Sequence, residues 1–127
     1  MGDLTPNFDR FEFACKGKNC CGHSAPISMV LVRALQQLRD DLCTLLGHDV
    51  LIYIHSGFRC LTHNREVGSS DDSQHPLGTA VDCHTDEILP EELAALAEGI
   101  PEFHGIGIYP WGCHFDVREG GPVTWSG

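Results

Sequence analysis

The sequence SQHPLGTAVD occupies residues 73–82 and places His75 seven residues before Asp82. Gly78 and the small residues around it allow a tight turn between them, so that both side chains can converge on one metal ion. Residues 79–84 read as a β-strand. A fold built around this stretch has to bring a loop histidine beside a strand aspartate.

A third candidate ligand, His114, begins the sequence HFD in a separate apolar segment. Because side chains alternate along a strand, His114 and Asp116 share one face. Imidazole and carboxylate are suitable zinc ligands, and three protein ligands leave one coordination position free, as in catalytic zinc sites. Such an ion makes bound water acidic enough to attack a carbonyl near neutral pH. The pattern predicts a zinc hydrolase.

The composition is that of one globular domain, to which we assign residues 1–127. Apolar residues make up 42% of the chain, which is enough for a buried core. Eight basic residues against 18 acidic ones give a net charge of −10. This argues against nucleic acid as a partner, because phosphate binding needs clustered lysine and arginine. We expect a monomer.

No targeting signal is visible in the sequence. The longest apolar run, residues 50–54, is far shorter than the roughly 20 residues of a membrane span. The first residues, MGDLTP, lack the basic start and apolar stretch of a signal peptide. The protein therefore works where it is made, leaves by a route that the sequence does not show, or has had a signal removed.

Helical periodicity is clearest in the first half of the chain. Apolar residues at three- and four-residue spacing predict an amphipathic helix with Ser24 as its cap, Pro26 in its first turn and Gly47 as its stop. Residues 60–67 and 89–97 predict two further helices. Residues 1–23 read as an irregular arm, whose aromatic side chains pack on the body of the domain.

Four strands are predicted, at residues 50–54, 79–84, 105–109 and 113–118. The first is continuous and apolar, which indicates a buried central strand. A tight turn at residues 110–112 joins the last two. Together the elements predict an α+β domain in which helices cover one face of a small, mostly antiparallel sheet.

Several segments together resemble one family, the zinc D-Ala-D-Ala carboxypeptidases and related cell-wall peptidases. The resemblance rests on SGFRC with a following HN pair, on SxHxxGxAxD, on GIGIYP and on HxDVR, at residues 56–64, 73–82, 105–110 and 114–118. The opening LTxNF and EFxC segments resemble a short, single-domain branch found in bacteria and phages. The resemblance implies the fold shared by these peptidases and the hedgehog signalling domain.

The resemblance also implies roles for individual residues. His75, Asp82 and His114 correspond to the ligands of one catalytic zinc ion. Arg59 matches the arginine that pairs with a substrate carboxylate, for which a planar, permanently charged fork is suited. Ser73 matches a position that hydrogen-bonds the substrate backbone. The alternatives are a surface arginine and a simple loop serine.

One position departs from the family pattern. Many relatives place an acidic residue, the general base, three residues before the last histidine ligand, and here that position is Trp111. Asp116 is the first candidate to replace it, and its alternative role is to hold a ligand or to pair with Arg118. Tyr109 and, more weakly, His104 are candidates for stabilising the oxyanion or shuttling a proton.

Seven cysteines are an odd number, so at least one cannot pair within the chain. Without a secretion signal, reduced thiols are expected. The segment CKGKNCCGH, residues 15–23, fits no standard zinc knuckle, and three interpretations stay open: free thiols, a disulfide involving Cys60, or a structural metal. Cys83 and Cys113 flank presumed ligands on strands, so we expect their side chains to point into the core.

The resemblance favours a zinc peptidase that cuts peptidoglycan stem peptides beside a D-amino acid. A D-Ala-D-Ala carboxypeptidase fits Arg59 best, while an endopeptidase that cuts cross-links or the L-Ala-D-Glu bond uses the same core. Such an enzyme acts on the cell wall, after export or after release in phage lysis. The alternative from another class is a non-catalytic zinc-binding module, as in the hedgehog domain, and Trp111 favours it.

Overall fold

A five-stranded sheet forms the centre of the computed structural model, which describes residues 2–127. The strand order is β1-β2-β4-β3-β5, in which β3 and β5 are parallel and the other three pairs are antiparallel. The predicted α+β class with a mostly antiparallel sheet is confirmed. In chain order the elements are α1 (Met29–Leu46), β1 (Tyr53–Ser56), α2 (Leu61–Glu66), β2 (Ala80–His84), α3 (Pro90–Glu98), β3 (Gly105–Tyr109), β4 (Gly112–Asp116) and β5 (Val123–Ser126).

One face of the sheet packs against α1 and α3 to form the core. Side chains that point to this face from β2 and β4 are fully buried, and they include Cys83 and Cys113. The prediction that both cysteines point into the core is confirmed. Because side chains alternate along a strand, the neighbours of these core residues in β2 and β4 point to the opposite face of the sheet. The candidate site lies on that opposite face.

The first helix begins later than predicted, at Met29 rather than near Ser24. Its cap is Ser28, whose Oγ accepts the backbone N–H of Leu31. The preceding residues are not helical because their backbone groups make hydrogen bonds to other parts of the chain. The backbone N–H of Ser28 donates to the carbonyl of Gly78, and the carbonyl of Ser24 accepts the backbone N–H of Cys15. Among the described residues, no helix combines the length and the apolar character needed to cross a membrane.

The first strand was predicted too early and in the wrong place in the sheet. It spans Tyr53–Ser56 and lies at an edge, where it pairs with β2 alone. Val50 and Ile52 are buried, but Leu51 between them is 59% exposed. Only alternate residues of the apolar run therefore face the core.

The C-terminal end of the sheet also differs from the prediction. Tyr109 pairs with Gly112, so the β3–β4 turn consists of residues 110–111. β4 ends at Asp116, because the backbone N–H of Arg118 turns back to the Asp116 carboxylate. β5 was not predicted at all. It pairs in parallel with β3 and brings Trp125 beside Tyr109, with Nε1 of the tryptophan 2.7 Å from the phenolic oxygen.

The N-terminal arm contains a short 3-10 turn at Arg10–Phe13. Phe8 and Phe13 are buried in the core, whereas Phe11 is 74% exposed. The carbonyl of Phe13 accepts the backbone N–H of Phe58, and a side chain at Gly57 would collide with Phe13. The arm thus packs against the segment that follows β1.

The packing of α1 makes a direct prediction about stability. Leu38→Ala removes a fully buried side chain from the core and should lower the free energy of unfolding by about 2–5 kcal/mol. Leu45→Ala, on the same helix but 62% exposed, should change it by less than about 1 kcal/mol. Urea unfolding followed by circular dichroism measures both. Equal losses would contradict the assigned core face of α1.

Candidate metal centre

Three donor groups converge on the open face of the sheet. One donor atom from each of His75, Asp82 and His114 lies within 4.8 Å of the others. Oδ1 of Asp82 is 3.0 Å from Nδ1 of His114 and 3.3 Å from Nε2 of His75. Asp82 and His114 are directly opposite each other in the antiparallel pair of β2 and β4. The sheet register therefore brings together two of the three predicted ligands.

His75 enters from a 3-10 turn, His75–Leu77, just before β2. The turn ends at Gly78, whose φ of 71° is the left-handed conformation that glycine adopts without strain. Nδ1 of His75 donates to the carbonyl of Gly57 at 2.7 Å, so Nε2 carries the lone pair of the neutral imidazole. This nitrogen is buried, has no hydrogen-bond partner and faces a carboxylate oxygen of Asp82.

This orphaned nitrogen tests whether the residues suit a metal ion. A lone pair that faces a carboxylate oxygen at 3.3 Å is repulsive unless a cation or a proton lies between them. Zinc takes neutral imidazole and carboxylate as ligands. The donor set of His75, Asp82 and His114 therefore fits a zinc ion.

His114 is oriented by a second carboxylate. Its Nε2 is 2.8 Å from Oδ2 of Asp116, which leaves Nδ1 directed at Asp82. Burial alone would lower the pKa of His114, but its hydrogen bonds to Asp116 and Asp82 outweigh burial and raise that pKa. Carboxylate–imidazole–metal arrangements of this kind fix the tautomer and the orientation of a ligand histidine.

Asp116 is completely buried and fully occupied by hydrogen bonds. Oδ1 accepts from the backbone N–H and Nε of Arg118, and Oδ2 accepts from Nη2 of Arg118 and from Nε2 of His114. Burial would raise the pKa of Asp116, yet these donors hold it well below its usual range. Gly105, opposite Asp116 in β3, leaves the necessary space, because a Cβ there would overlap the carboxylate.

The donor groups lie in the wall of an open cavity of about 450 Å³. Arg59 lies in this wall with its guanidinium held from two sides: Nε donates to Asn64, and Nη1 donates to the hydroxyl of Ser56. Nη1 is also 3.6 Å from Oδ2 of Asp82. Burial lowers the pKa of Arg59, and Asp82 partly opposes this. Arg59 thus remains a fixed cation beside the three donor groups.

Ser73 and Tyr109 line the same cavity. The hydroxyl of Ser73 accepts the backbone N–H of His75 at 3.3 Å. The phenolic oxygen of Tyr109 accepts from Nε1 of Trp125, which can only donate. The O–H hydrogen of each residue is therefore available to a ligand. His104, in contrast, bonds the carbonyl of Arg118 and is not among the cavity-lining residues.

Several residues around the site were not identified from the sequence. Trp125 of β5 lies in the cavity wall, 5.3 Å from the ring of His114, and the Arg118 guanidinium stacks over it. On the other side of Asp82, His55 and His84 stack and hydrogen-bond to each other. His84 could have been found, because it lies two residues after Asp82 on the same strand face. No sequence pattern around Trp125 indicated that it belongs to the site.

An α+β domain that presents a His/Asp/His donor set in an open cavity has the architecture of a zinc metallopeptidase. Residues 6–116 match the model of the peptidase M15 family, and the chain belongs to that family. This confirms the predicted relationship to the zinc D-Ala-D-Ala carboxypeptidases and related peptidases. No curated protein matches the chain.

The contact between Asp116 and His114 predicts an effect on zinc affinity. Asp116→Asn keeps all three ligands but removes the charge that orients His114, so the zinc affinity should fall roughly 10–100-fold. Titration against a chromophoric chelator measures it. Asp71→Asn, at an exposed aspartate that pairs with Arg65, is the control and should leave the affinity unchanged. An unaltered affinity in Asp116→Asn would contradict the assigned contact.

The same carboxylate predicts a pH dependence of stability in the metal-free protein. The pKa of Asp116 is depressed in the folded state relative to the ordinary value of 3.8, so its stabilisation is complete above that value and is lost as the pH falls below it. The stability difference between the wild type and Asp116→Asn should therefore narrow by about 1 kcal/mol between pH 5 and pH 3. Urea unfolding in chelator measures this difference. A difference independent of pH would contradict the depressed pKa.

Proposed function

We propose that this protein is a zinc-dependent peptidase that hydrolyses peptidoglycan stem peptides beside a D-amino acid, with D-Ala-D-Ala carboxypeptidase as the best-supported activity. The observation that carries the proposal is the position of Arg59, a fixed cation in the same cavity wall as the three donor groups. A peptide whose terminal carboxylate reached Arg59 would have its last peptide bond near those groups. The substrate lies in the cell wall, where the enzyme would act after export or release.

His75, Asp82 and His114 would hold the zinc ion. When bound, zinc lowers the pKa of water and polarises a carbonyl oxygen. With zinc bound, Gly57 would keep the proton of His75 on Nδ1 and Asp116 would keep that of His114 on Nε2, so each imidazole would offer its lone pair to the ion. In the metal-free protein, burial raises the pKa of Asp82, but hydrogen bonds from His114 and His75 hold it well below the usual range, a role that the zinc ion would take over. Asp82 therefore remains an anionic ligand.

The remaining groups would bind and orient the substrate. Arg59 presents a guanidinium to the substrate carboxylate, because Asn64 and Ser56 already fix its orientation. Ser73 would donate its hydroxyl hydrogen to the substrate backbone. Tyr109 would donate to the oxygen on which negative charge develops, since Trp125 already occupies an acceptor position of its phenolic oxygen.

We propose that Asp116 positions His114 and does not act as the general base. A base must offer a lone pair to a proton and must have a pKa near the working pH. Both oxygens of Asp116 already accept two hydrogen bonds each, and the side chain has no exposed surface. Its depressed pKa makes proton capture still less favourable.

An endopeptidase is the second candidate, and one observation favours it. Asp72 lines the same cavity as Arg59. Its carboxylate would repel the terminal carboxylate of a carboxypeptidase substrate but not the interior of a longer peptide. Cleavage of cross-links and of the L-Ala-D-Glu bond are the two endopeptidase reactions that this site would allow.

Product analysis separates these activities. The zinc-loaded protein is incubated with a defined pentapeptide stem and with cross-linked stem dimers, and the products are read by mass spectrometry. Release of D-alanine is expected, whereas split dimers or released L-alanine would identify the endopeptidases. His114→Ala should abolish every product. Uncut substrates in the presence of bound zinc would support a non-catalytic zinc module and contradict the proposal.

The assignment of Arg59 predicts a dependence on the substrate's terminal charge. Arg59→Lys loses the planar fork, so kcat/KM for a peptide with a free terminal carboxylate should fall roughly 10–100-fold, mainly through KM. For the C-terminally amidated peptide the change should be less than about threefold, because the partner charge is absent. Arg65→Lys, at an exposed arginine, is the control. Equal losses on both peptides would show that Arg59 acts through Asp82 instead.

A further inference from the structure

A second cluster of metal-binding side chains lies outside the cavity. Cys15, Cys20, Cys21 and Cys60 have sulfur atoms within 4.8 Å of one another. The Sγ of Cys15 is 3.8 Å from that of Cys20 and 3.9 Å from that of Cys60, and the sulfurs of Cys20 and Cys21 are 3.9 Å apart. Three of these cysteines come from the N-terminal arm, and Cys60 is the cap residue of α2.

These distances match one chemistry in particular. Zinc–thiolate bonds of about 2.3 Å at tetrahedral angles place neighbouring sulfurs about 3.8 Å apart. A disulfide requires about 2.05 Å between sulfurs, and no cysteine of the described residues forms one. Three of the six sulfur pairs have this tetrahedral spacing and the others lie within 4.8 Å, so thiols from two distant parts of the chain are arranged as a ligand set.

The loop that carries three of the cysteines is built around the sulfur atoms. Its ends are joined by the backbone N–H of Cys15, which donates to the carbonyl of Ser24, and by a hydrogen bond of 2.9 Å between Nδ1 of His23 and the carbonyl of Cys15. A Cβ at Gly17 would lie 2.5 Å from the sulfur of Cys20, so only glycine leaves room there. The sulfur of Cys60 accepts the backbone N–H of His63.

The charges of the loop also suit such a site. Four thiolates around a divalent cation leave a net charge of −2, and nearby cations stabilise it. The chain has two lysines, Lys16 and Lys18, and both lie between the first two cysteines of the cluster. Although the chain as a whole has a net charge of −10, its two lysines thus lie close together in the sequence beside the thiols.

We propose that Cys15, Cys20, Cys21 and Cys60 bind a second zinc ion in a closed, tetrahedral four-thiolate site. Four protein ligands leave no position for water or substrate, so this ion is structural. Each thiol gives up its proton on binding, and the four sulfurs supply the electron pairs of the four bonds. The proposal does not depend on peptidase activity.

The position of the cluster explains what such an ion would stabilise. Cys60 directly follows Arg59, and the same segment contains Gly57, whose carbonyl orients His75. Zinc at the cysteines would join the N-terminal arm to this segment and hold both groups in place. Binding free energy at a structural zinc site is folding free energy, so the arm should order with the metal.

Metal and thiol counting test the proposal on the intact chain. The protein is produced with zinc, purified without reductant under nitrogen and desalted, and its zinc content is measured by mass spectrometry of the metal. Two zinc ions per chain are expected for the wild type and for Cys43→Ser, whose thiol lies outside the cluster. One is expected for Cys20→Ser and one for His114→Ala, each of which loses a different ion.

Cobalt substitution identifies the ligands without relying on a cysteine variant that fails to fold. His114→Ala loaded with Co²⁺ should show sulfur-to-cobalt charge-transfer absorption and tetrahedral d–d bands. Seven titratable thiols should be found after denaturation in chelator, since all cysteines remain reduced. An equal zinc content in the wild type and Cys20→Ser, a cobalt spectrum without sulfur ligation, or only five thiols, which indicates a disulfide, would each overturn the proposal.

Discussion

Antiparallel pairing of β2 with β4 sets Asp82 directly opposite His114. A slip of one residue in either strand would turn that strand's donor toward the helices and separate the two, because successive residues on a strand face opposite sides of the sheet. Val81 and Phe115, also opposite each other in this pair, are completely buried on the helical side and make such a slip costly. Hydrophobic packing on one face of the sheet thus holds the ligand register on the other.

Strand register positions His114, and Asp116 in addition fixes the orientation of its imidazole ring. Its carboxylate is stable in a fully buried place because Arg118 neutralises it with two side-chain hydrogen bonds and one from the backbone. The remaining interaction goes to His114, and Gly105 provides the space. A buried charge of this kind is costly unless it is paired. Here the pairing directs a ligand nitrogen of His114 toward Asp82.

The convergence of the three candidate ligands could be predicted from the sequence because its signals are local. His75 and Asp82 lie seven residues apart across a glycine turn, and strand alternation relates His114 to Asp116. Features that depend on distant pairing were missed. β1 was predicted as a central strand, since an apolar run does not say which neighbours it has, and Trp125 belongs to a short strand that only its pairing with β3 defines. The two roles foreseen for Asp116 could be weighed only once Arg118 and Gly105 were placed around it.

We propose that one zinc ion is held between Nε2 of His75, the Asp82 carboxylate and Nδ1 of His114. Anomalous diffraction from crystals of the zinc-loaded protein, recorded on both sides of the zinc absorption edge, tests it directly. We expect a peak bonded to these three groups, with Nε2 of His114 still bound to Asp116. A map without that peak, or a metal bonded through Nε2 of His114, would contradict it.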